Sequence, residues 1–75
     1  MNMSYETLSK IAENMKERFP VGTRVRLVQM NDAQAPKIGT EGTVQGVDGL
    51  ASLLVHWDNG STLNVLYGED RVEKV

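Results

Sequence analysis

The chain has 75 residues, enough for one small domain with a limited hydrophobic core. Its composition, 40% apolar and 24% charged, is that of a folded globular domain and not of a disordered segment. The net charge of −2 gives no overall attraction for nucleic acid or an anionic membrane, and the absence of cysteine excludes disulfides and thiolate metal sites. No segment has the pattern of a membrane span or a secretory leader, so we expect a cytoplasmic protein.

The N-terminal part of the chain predicts an amphipathic helix over residues 4–19. Apolar side chains recur there at spacings of three and four, which places them along one side of a helix. The stripe consists of Tyr5, Leu8, Ile11, Ala12, Met15 and Phe19. Ser4 is suited to the N-cap position, and Pro20 disfavours a helical conformation at the residue before it, so the helix should end at or just before Phe19.

Five short β-strands are predicted after the helix, because Val, Leu and aromatic residues recur between segments rich in Gly, Asn and Asp. The strands cover residues 23–30, 40–47, 50–57, 61–67 and 72–75. In the second strand, Gly42 and Gly46 are typical of a bulge or a sharp bend. Five strands, a long first connection at residues 31–39 and two tight hairpins fit a small, mainly β, SH3-like barrel. We therefore expect a helical unit over residues 1–20 packed on a barrel over residues 21–75.

A β-hairpin around Asp58, Asn59 and Gly60 is the strongest local signal. Asn and Gly tolerate the positive φ that a tight turn between right-twisted strands demands. The period of two places six side chains on one face of this hairpin. They are Leu53, Val55 and Trp57 from its first strand and Leu63, Val65 and Tyr67 from its second. We expect this face to form the centre of the core.

Four blocks of the sequence resemble a known family. The blocks are Gly-Thr-Arg-Val-Arg-Leu at 22–27, Gly-Thr-Glu-Gly-Thr-Val at 39–44, Trp-Asp-Asn-Gly-Ser at 57–61 and Asp-Arg-Val at 70–72. In this order they resemble a family of small, uncharacterised bacterial and phage-associated SH3-like domains. The resemblance implies the barrel fold and no assigned activity. More loosely, the first two blocks are similar to KOW modules, which contact RNA or protein, and residues 55–61 to substrate-recruiting domains of some ubiquitin ligases.

No catalytic, metal or cofactor site is predicted. His56 is the single histidine and alternates with Val55 and Trp57, so it should point away from the core. Turn chemistry explains Asp58 and Ser61 without a Ser–His–Asp arrangement. The carboxylates are scattered, and no glycine-rich phosphate loop opens a helix. The sequence therefore predicts a protein that is not an enzyme and holds no cofactor.

Basic side chains that the barrel can bring to one side are the candidate binding residues. They are Arg24, Arg26, Lys37, His56 and Arg71. Arg24 and Arg26 alternate with Val25 and Leu27, so the two arginines share the outward face of the first strand. The polar connection over residues 31–39 adds a long loop of the kind that often carries binding. We therefore expect a protein-interaction module with an unidentified protein partner.

Two alternatives stay open. The Arg24/Arg26 face also suits RNA or DNA, which small barrels bind through basic faces. Against nucleic acid stand the negative net charge, a supply of only four aromatic residues for base stacking, and the acidic residues Glu41 and Glu73, either of which can pair with an outward arginine. The second alternative is a homo-oligomer joined through the helix stripe. The expected state is thus a monomer or a weak homodimer with no membrane partner.

Overall fold

The structure, a computed structural model, describes residues 4–75 and contains one helix followed by a four-stranded antiparallel sheet. The elements are α1 (Tyr5–Arg18), β1 (Arg24–Gln29), β2 (Glu41–Val47), β3 (Leu53–Trp57) and β4 (Arg71–Lys74). The strand order is β3-β2-β1-β4, so the last strand pairs with the first and the sheet is open. Residues 1–3 of the predicted helical unit lie outside the described residues.

Helix α1 begins and ends where the sequence predicts. The Ser4 hydroxyl caps its N-terminus by accepting a backbone N–H of the first turn at 3.1 Å. Ala12 and Met15 form the buried side of the helix, and Phe19 continues it just past the helix end. Tyr5 is 86% exposed, because it lies in the first turn, ahead of the part of the helix that contacts the core. The prediction that Tyr5 belongs to the packing stripe is therefore wrong.

One face of the sheet carries the core. Its most deeply buried side chains are Val25, Leu27, Val44, Leu53 and Trp57. The alternation predicted for β1 is confirmed, since Val25 and Leu27 are buried while Arg24 and Arg26 are partly exposed. The alternation in β3 is confirmed too, with His56 exposed between two buried neighbours. Burial of each side chain of this size stabilises the folded state by about 1.5–3 kcal/mol. Helix α1 packs on the same core.

Gly42 allows the largest core side chain, Trp57, to approach the backbone of β2 closely. It stands opposite Trp57 in the β2–β3 pair and opposite Val25 in the β1–β2 pair. A Cβ atom at position 42 would lie 2.7 Å from Val55 Cγ1 and 2.9 Å from Trp57 Cε3. Gly42 therefore marks a close approach within a regular strand. The predicted bulge occurs at Gly46, where the β2–β3 register shifts.

The connection between β2 and β3 shortens the third strand at its start. The Asp48 carboxylate accepts the N–H groups of Leu50 at 2.9 Å and Ser52 at 3.0 Å. Within this turn Ala51 is buried and adopts a φ of 62°, an uncommon conformation for a residue with a Cβ. Residues 50–52 belong to the turn for this reason, and β3 begins at Leu53 instead of the predicted residue 50.

The predicted turn at residues 58–60 is confirmed. Gly60 adopts a φ of +92°, and its N–H donates to the Trp57 carbonyl at 2.9 Å. The Trp57 N–H in turn donates to the Ser61 carbonyl at 2.9 Å, which closes the hairpin. The connection after β3 therefore starts as a tight hairpin.

Beyond this turn, residues 61–67 form no regular strand. The Leu63 carbonyl accepts the Trp57 indole N–H at 2.9 Å, and the Leu63 N–H donates to the Ser61 hydroxyl at 3.3 Å. The backbone is thus bonded to side chains at the position where a strand would pair with β3. Residues 4–75 therefore form the predicted mainly β domain with one helix, as an open sheet of four strands to which residues 61–67 do not add the predicted strand.

A single β-bridge replaces the missing strand. The N–H and C=O groups of Val65 exchange hydrogen bonds with Leu53 at 2.9 and 3.0 Å. The Leu53–Val65 and Trp57–Ser61 pairs are both centred on Asn59, so the hairpin keeps one register across the interruption. The bridge fixes where residues 66–70 turn back toward α1.

Replacing Gly42 with alanine should destabilise the fold by about 1–3 kcal/mol, because the added methyl meets β3 at 2.7–2.9 Å. Urea denaturation measures the free energy of unfolding. Gly49→Ala is the matched control, since a Cβ at Gly49 meets nothing within 4 Å. Equal stability of the two variants would show that Trp57 does not need the glycine beneath it.

Candidate functional site

The structure places the predicted basic residues on two different surfaces. Arg24 and His56 both stand opposite Thr43 on the outer face of the sheet, and Arg26 lies beside them on β1. Arg71 begins β4 opposite Gln29 and lines a groove next to α1. Lys37 is exposed in the connection between β1 and β2. Three of the five predicted residues thus share a face, and Arg71 belongs to another surface.

Arg24 is the centre of an ion-pair network on the outer face. Its Nη1 and Nη2 atoms donate to the two carboxylate oxygens of Asp58 at 2.8 and 2.6 Å, a bidentate pair. Nη1 also donates to the Thr43 hydroxyl at 2.9 Å, and Nη2 to Glu41 Oε1 at 3.3 Å. β1, β2 and the turn after β3 are joined through this one guanidinium.

The same contacts shift the pKa values of both partners. The hydrogen bonds from Arg24 hold the pKa of Asp58 below its ordinary value of 3.8, with a smaller contribution from the charge of His56. The hydrogen bond to Asp58 raises the pKa of Arg24, and Glu41 adds to this shift. Asp58 is therefore a carboxylate over the whole neutral and mildly acidic range.

Arg26 is paired in the same way at the β1–β4 side. Its Nη1 atom donates to Glu73 Oε1 at 2.8 Å, across the register pair of the two strands. We call this surface the paired face; its charged residues are Arg24, Arg26, Glu41, Asp58 and Glu73. Two cations and three carboxylates neutralise one another there, so the face offers no excess of positive charge.

A second surface is a groove between the C-terminal turn of α1 and residues 65–72. We call it the helix–turn groove; it has a volume of about 620 Å³. It is lined by Met15, Arg18, Phe19, Gln29, Leu53 and residues 65–72. Most of its apolar floor is buried, but Leu66 and Tyr67 on its wall are each 45% exposed. The groove thus presents two accessible apolar side chains next to a packed floor.

Cations stand at the helix end of the helix–turn groove. The Arg18 guanidinium lies 5.3 Å and the Lys74 ammonium 5.5 Å from the centre of the Phe19 ring, within the range of cation–π contact. Arg18 and Arg71 both line the groove, whereas Lys74 contacts Phe19 without lining it. None of the ion pairs found within residues 4–75 includes Arg18, Arg71 or Lys74. Unlike the arginines of the paired face, these three cations keep their charge available.

The groove also carries two carboxylates, which lie in a tight turn after Leu66. The Leu66 carbonyl accepts the N–H groups of Glu69 at 3.2 Å and Asp70 at 3.0 Å. The Asp70 carboxylate accepts the Leu66 N–H at 2.8 Å and so closes the turn. Glu69 and Asp70 also line a neighbouring cleft with Met30 and Leu63, which places them on the ridge between the two. The groove is therefore lined by two cations, Arg18 and Arg71, and by two carboxylates, Glu69 and Asp70.

The chain was compared with known proteins. A family model described as Domain of unknown function (DUF4314) matches residues 8–75. The chain belongs to the DUF4314 family. The match includes the sheet, most of α1, the paired face and the helix–turn groove of this DUF4314 domain. A search of curated proteins finds no match to the chain.

Residues 4–75 of this DUF4314 domain contain no group of three His, Cys, Asp or Glu side chains placed to hold a metal ion. Nor does this part of the chain contain a helix long and apolar enough to cross a membrane. His56 is exposed, and Asp58 beside it is committed to Arg24. The Ser61 hydroxyl accepts the Leu63 N–H.

Sequence reasoning found only part of the groove of this DUF4314 domain. Arg71, one of the predicted binding residues, lines it, but Tyr67 was expected in the core and is 45% exposed, and Arg18 and Leu66 were not predicted as binding residues. Residues 65–72 lie beside α1 through the Leu53–Val65 bridge and the β1–β4 pairing, which the local sequence pattern does not show.

Replacing Arg24 with glutamine should return the pKa of Asp58 toward its ordinary value of 3.8. A carboxyl group whose pKa is lower in the folded state stabilises that state at pH values above its unfolded-state pKa. This stabilisation is lost as the pH falls through the folded-state pKa. The variant should therefore be less stable than the wild type at neutral pH, and the difference should vanish in acid. NMR titration of the Asp58 carboxyl carbon measures the shift.

Arg26→Gln is the matched control for this prediction, because Arg26 pairs with Glu73. It should leave the titration of Asp58 unchanged. An Asp58 pKa that is the same in the wild type and the Arg24→Gln variant would contradict the bidentate pair.

Proposed function

We propose that this DUF4314 domain is a non-enzymatic protein-interaction module that binds a short segment of a partner protein in the helix–turn groove. The observation that carries the proposal is the pair Leu66 and Tyr67, which stay 45% exposed beside a buried apolar floor. Side chains of this kind serve as anchors in protein interfaces, since Tyr combines a large apolar area with a polar tip.

The size and openness of the groove suit an extended peptide. Its volume of about 620 Å³ is within the range of sites that take a few side chains. Its two sides come from α1 and from a turn fixed by Asp70 and the Val65 bridge, so the surface is formed before a partner arrives. A preformed groove lowers the ordering cost of binding.

The ion pairs of the paired face support a protein partner over nucleic acid. Phosphate binding depends on cations that are free to replace counterions. Arg24 has two hydrogen bonds to Asp58, and Arg26 is bonded to Glu73, so phosphates would have to compete with carboxylates already in place. The predicted Arg24/Arg26/His56 surface is for this reason our second choice as a binding site.

Local bonding also supports the non-enzymatic part of the proposal. Of the residues in the conceivable Ser–His–Asp set, Asp58 is bound bidentately by Arg24 and Ser61 is engaged by its own turn. His56 is exposed, and no hydrogen bond found within residues 4–75 joins it to Asp58 or Ser61.

We also propose that the fold is a variant of the SH3-like plan. In that plan the last strand pairs with the first, and the segment before it pairs with the third. β4 lies beside β1, and Val65 bridges Leu53 of β3, which supports this topology with the fourth strand reduced to one bridge. The burial of Ala12, Met15 and Phe19 inside the domain supports a monomer, because the helix stripe is already covered.

Selection of peptides from a displayed random library tests the proposed function. Peptides selected on the wild-type domain should bind a Leu66→Ser, Tyr67→Ser double variant roughly tenfold or more weakly, because two anchor side chains are truncated. The matched control is Ile38→Ser with Leu50→Ser, which truncates two side chains that are 62% and 68% exposed outside the groove. It should bind the selected peptides as the wild type does.

Binding of the selected peptides to the two double variants shows which surface of the domain they contact. Selected peptides that bind both double variants equally would exclude the helix–turn groove. Failure to select any peptide, together with salt-sensitive binding of mixed-sequence RNA or DNA, would replace the proposal by a nucleic-acid module. Unfolding curves of both double variants establish that any loss of binding is not a loss of fold.

A further inference from the structure

We infer that the partner segment of the helix–turn groove is acidic: an apolar side chain packs against Leu66 and Tyr67, and adjacent Asp or Glu residues bind Arg18 and Arg71. The inference rests on the proposed function, because it names the partner chemistry of the same groove. It is carried by the contrast between the paired arginines of the sheet and the available cations of the groove.

The chain leaves these cations without carboxylate partners although it is net acidic. Acidic residues outnumber basic ones by 10 to 8, and Arg24 alone contacts two carboxylates. Yet no ion pair within residues 4–75 includes Arg18, Arg71 or Lys74. A carboxylate of a partner would pair with these cations as Asp58 pairs with Arg24 on the sheet.

Contact with Phe19 restrains the Arg18 side chain beside the groove. The Arg18 guanidinium lies 5.3 Å from the centre of the Phe19 ring, Arg18 lines the groove, and Phe19 is 6% exposed. A guanidinium stacked on an aromatic ring keeps its N–H edge free, which is the geometry that a carboxylate binds bidentately. Holding the side chain in place before binding lowers the entropy lost in the complex.

Carboxylates of the domain also line the groove. Glu69 is one of them, so a partner carboxylate beside it would meet a like charge. Asp70 is occupied by the Leu66 N–H. The favourable arrangement places the partner's acidic residues at Arg18 and Arg71 and its apolar anchor over Leu66 and Tyr67. Because the net charge is −2, attraction for an acidic segment is local to these two cations.

Three synthetic peptides test the inference. The first has Leu-Trp flanked on both sides by Asp and Glu; the second replaces every acid by its amide; the third replaces every acid by lysine. Amide NMR shifts at low and moderate salt give the dissociation constants and the binding surface. We expect the acidic peptide to bind at the groove roughly tenfold more tightly than its amide form, with affinity that falls as salt is added.

A charge reversal separates recognition from folding. The double variant Arg18→Glu, Arg71→Glu should no longer bind the acidic peptide and should bind the lysine peptide. An unfolded protein would not show this exchange of preference. The matched control is Lys10→Glu with Lys37→Glu, which makes the same change in net charge at exposed positions outside the groove. It should keep the preference of the wild type.

Different results would overturn the acidic partner segment and the peptide-binding groove. Equal groove shifts with all three peptides would overturn the acidic partner and leave the groove as the binding site. Absence of shifts with the acidic peptide at millimolar concentration would also overturn the acidic partner, while the library selection alone decides whether the groove binds peptides. Acidic-peptide shifts confined to the paired face would overturn the acidic partner of the groove and assign acidic segments to the sheet.

Discussion

The packing of Trp57 on Gly42 is the contact on which the rest of this structure depends. The indole is fully buried over a position where any Cβ would clash. Its ring N–H donates a hydrogen bond to the Leu63 carbonyl, which would otherwise be available to pair with β3. One side chain thus anchors the core and interrupts the following strand. The chain regains its register only at Val65 and then turns back along α1, and this return creates the helix–turn groove.

Electrostatics divides the molecule into a surface that holds the sheet together and a surface left available. On the outer face, Arg24 ties the hairpin turn to β1 and β2, and Arg26 ties β4 to β1. Partly exposed pairs of this kind add little stability singly, but the bidentate geometry at Asp58 fixes which groups are neighbours. Near Phe19 the chain has the opposite arrangement, with cations stacked on a ring and no carboxylate partner within residues 4–75.

Local chemistry made much of the fold predictable. Ser4 and Pro20 marked the ends of α1, alternation identified the inward face of β1 and β3, and Gly60 located the hairpin turn. The fourth strand was mispredicted because alternation cannot show that the Trp57 indole would take the Leu63 carbonyl. This hydrogen bond depends on where the Trp57 side chain lies in the folded protein. The alternation of apolar and polar residues carries no information on that position.

The candidate site was less predictable than the fold for a related reason. A basic residue in a sequence shows its charge but not its partner, so Arg24 and Arg71 were grouped together although one is bound by Asp58 and the other belongs to the groove. Pairing depends on register: Arg26 meets Glu73 only because β4 lies beside β1. Once the register is known, cations outside the ion pairs of residues 4–75 can be distinguished from paired ones. In the helix–turn groove two such cations, Arg18 and Arg71, occur together with the exposed apolar side chains Leu66 and Tyr67, and this combination indicates where a ligand can supply a carboxylate.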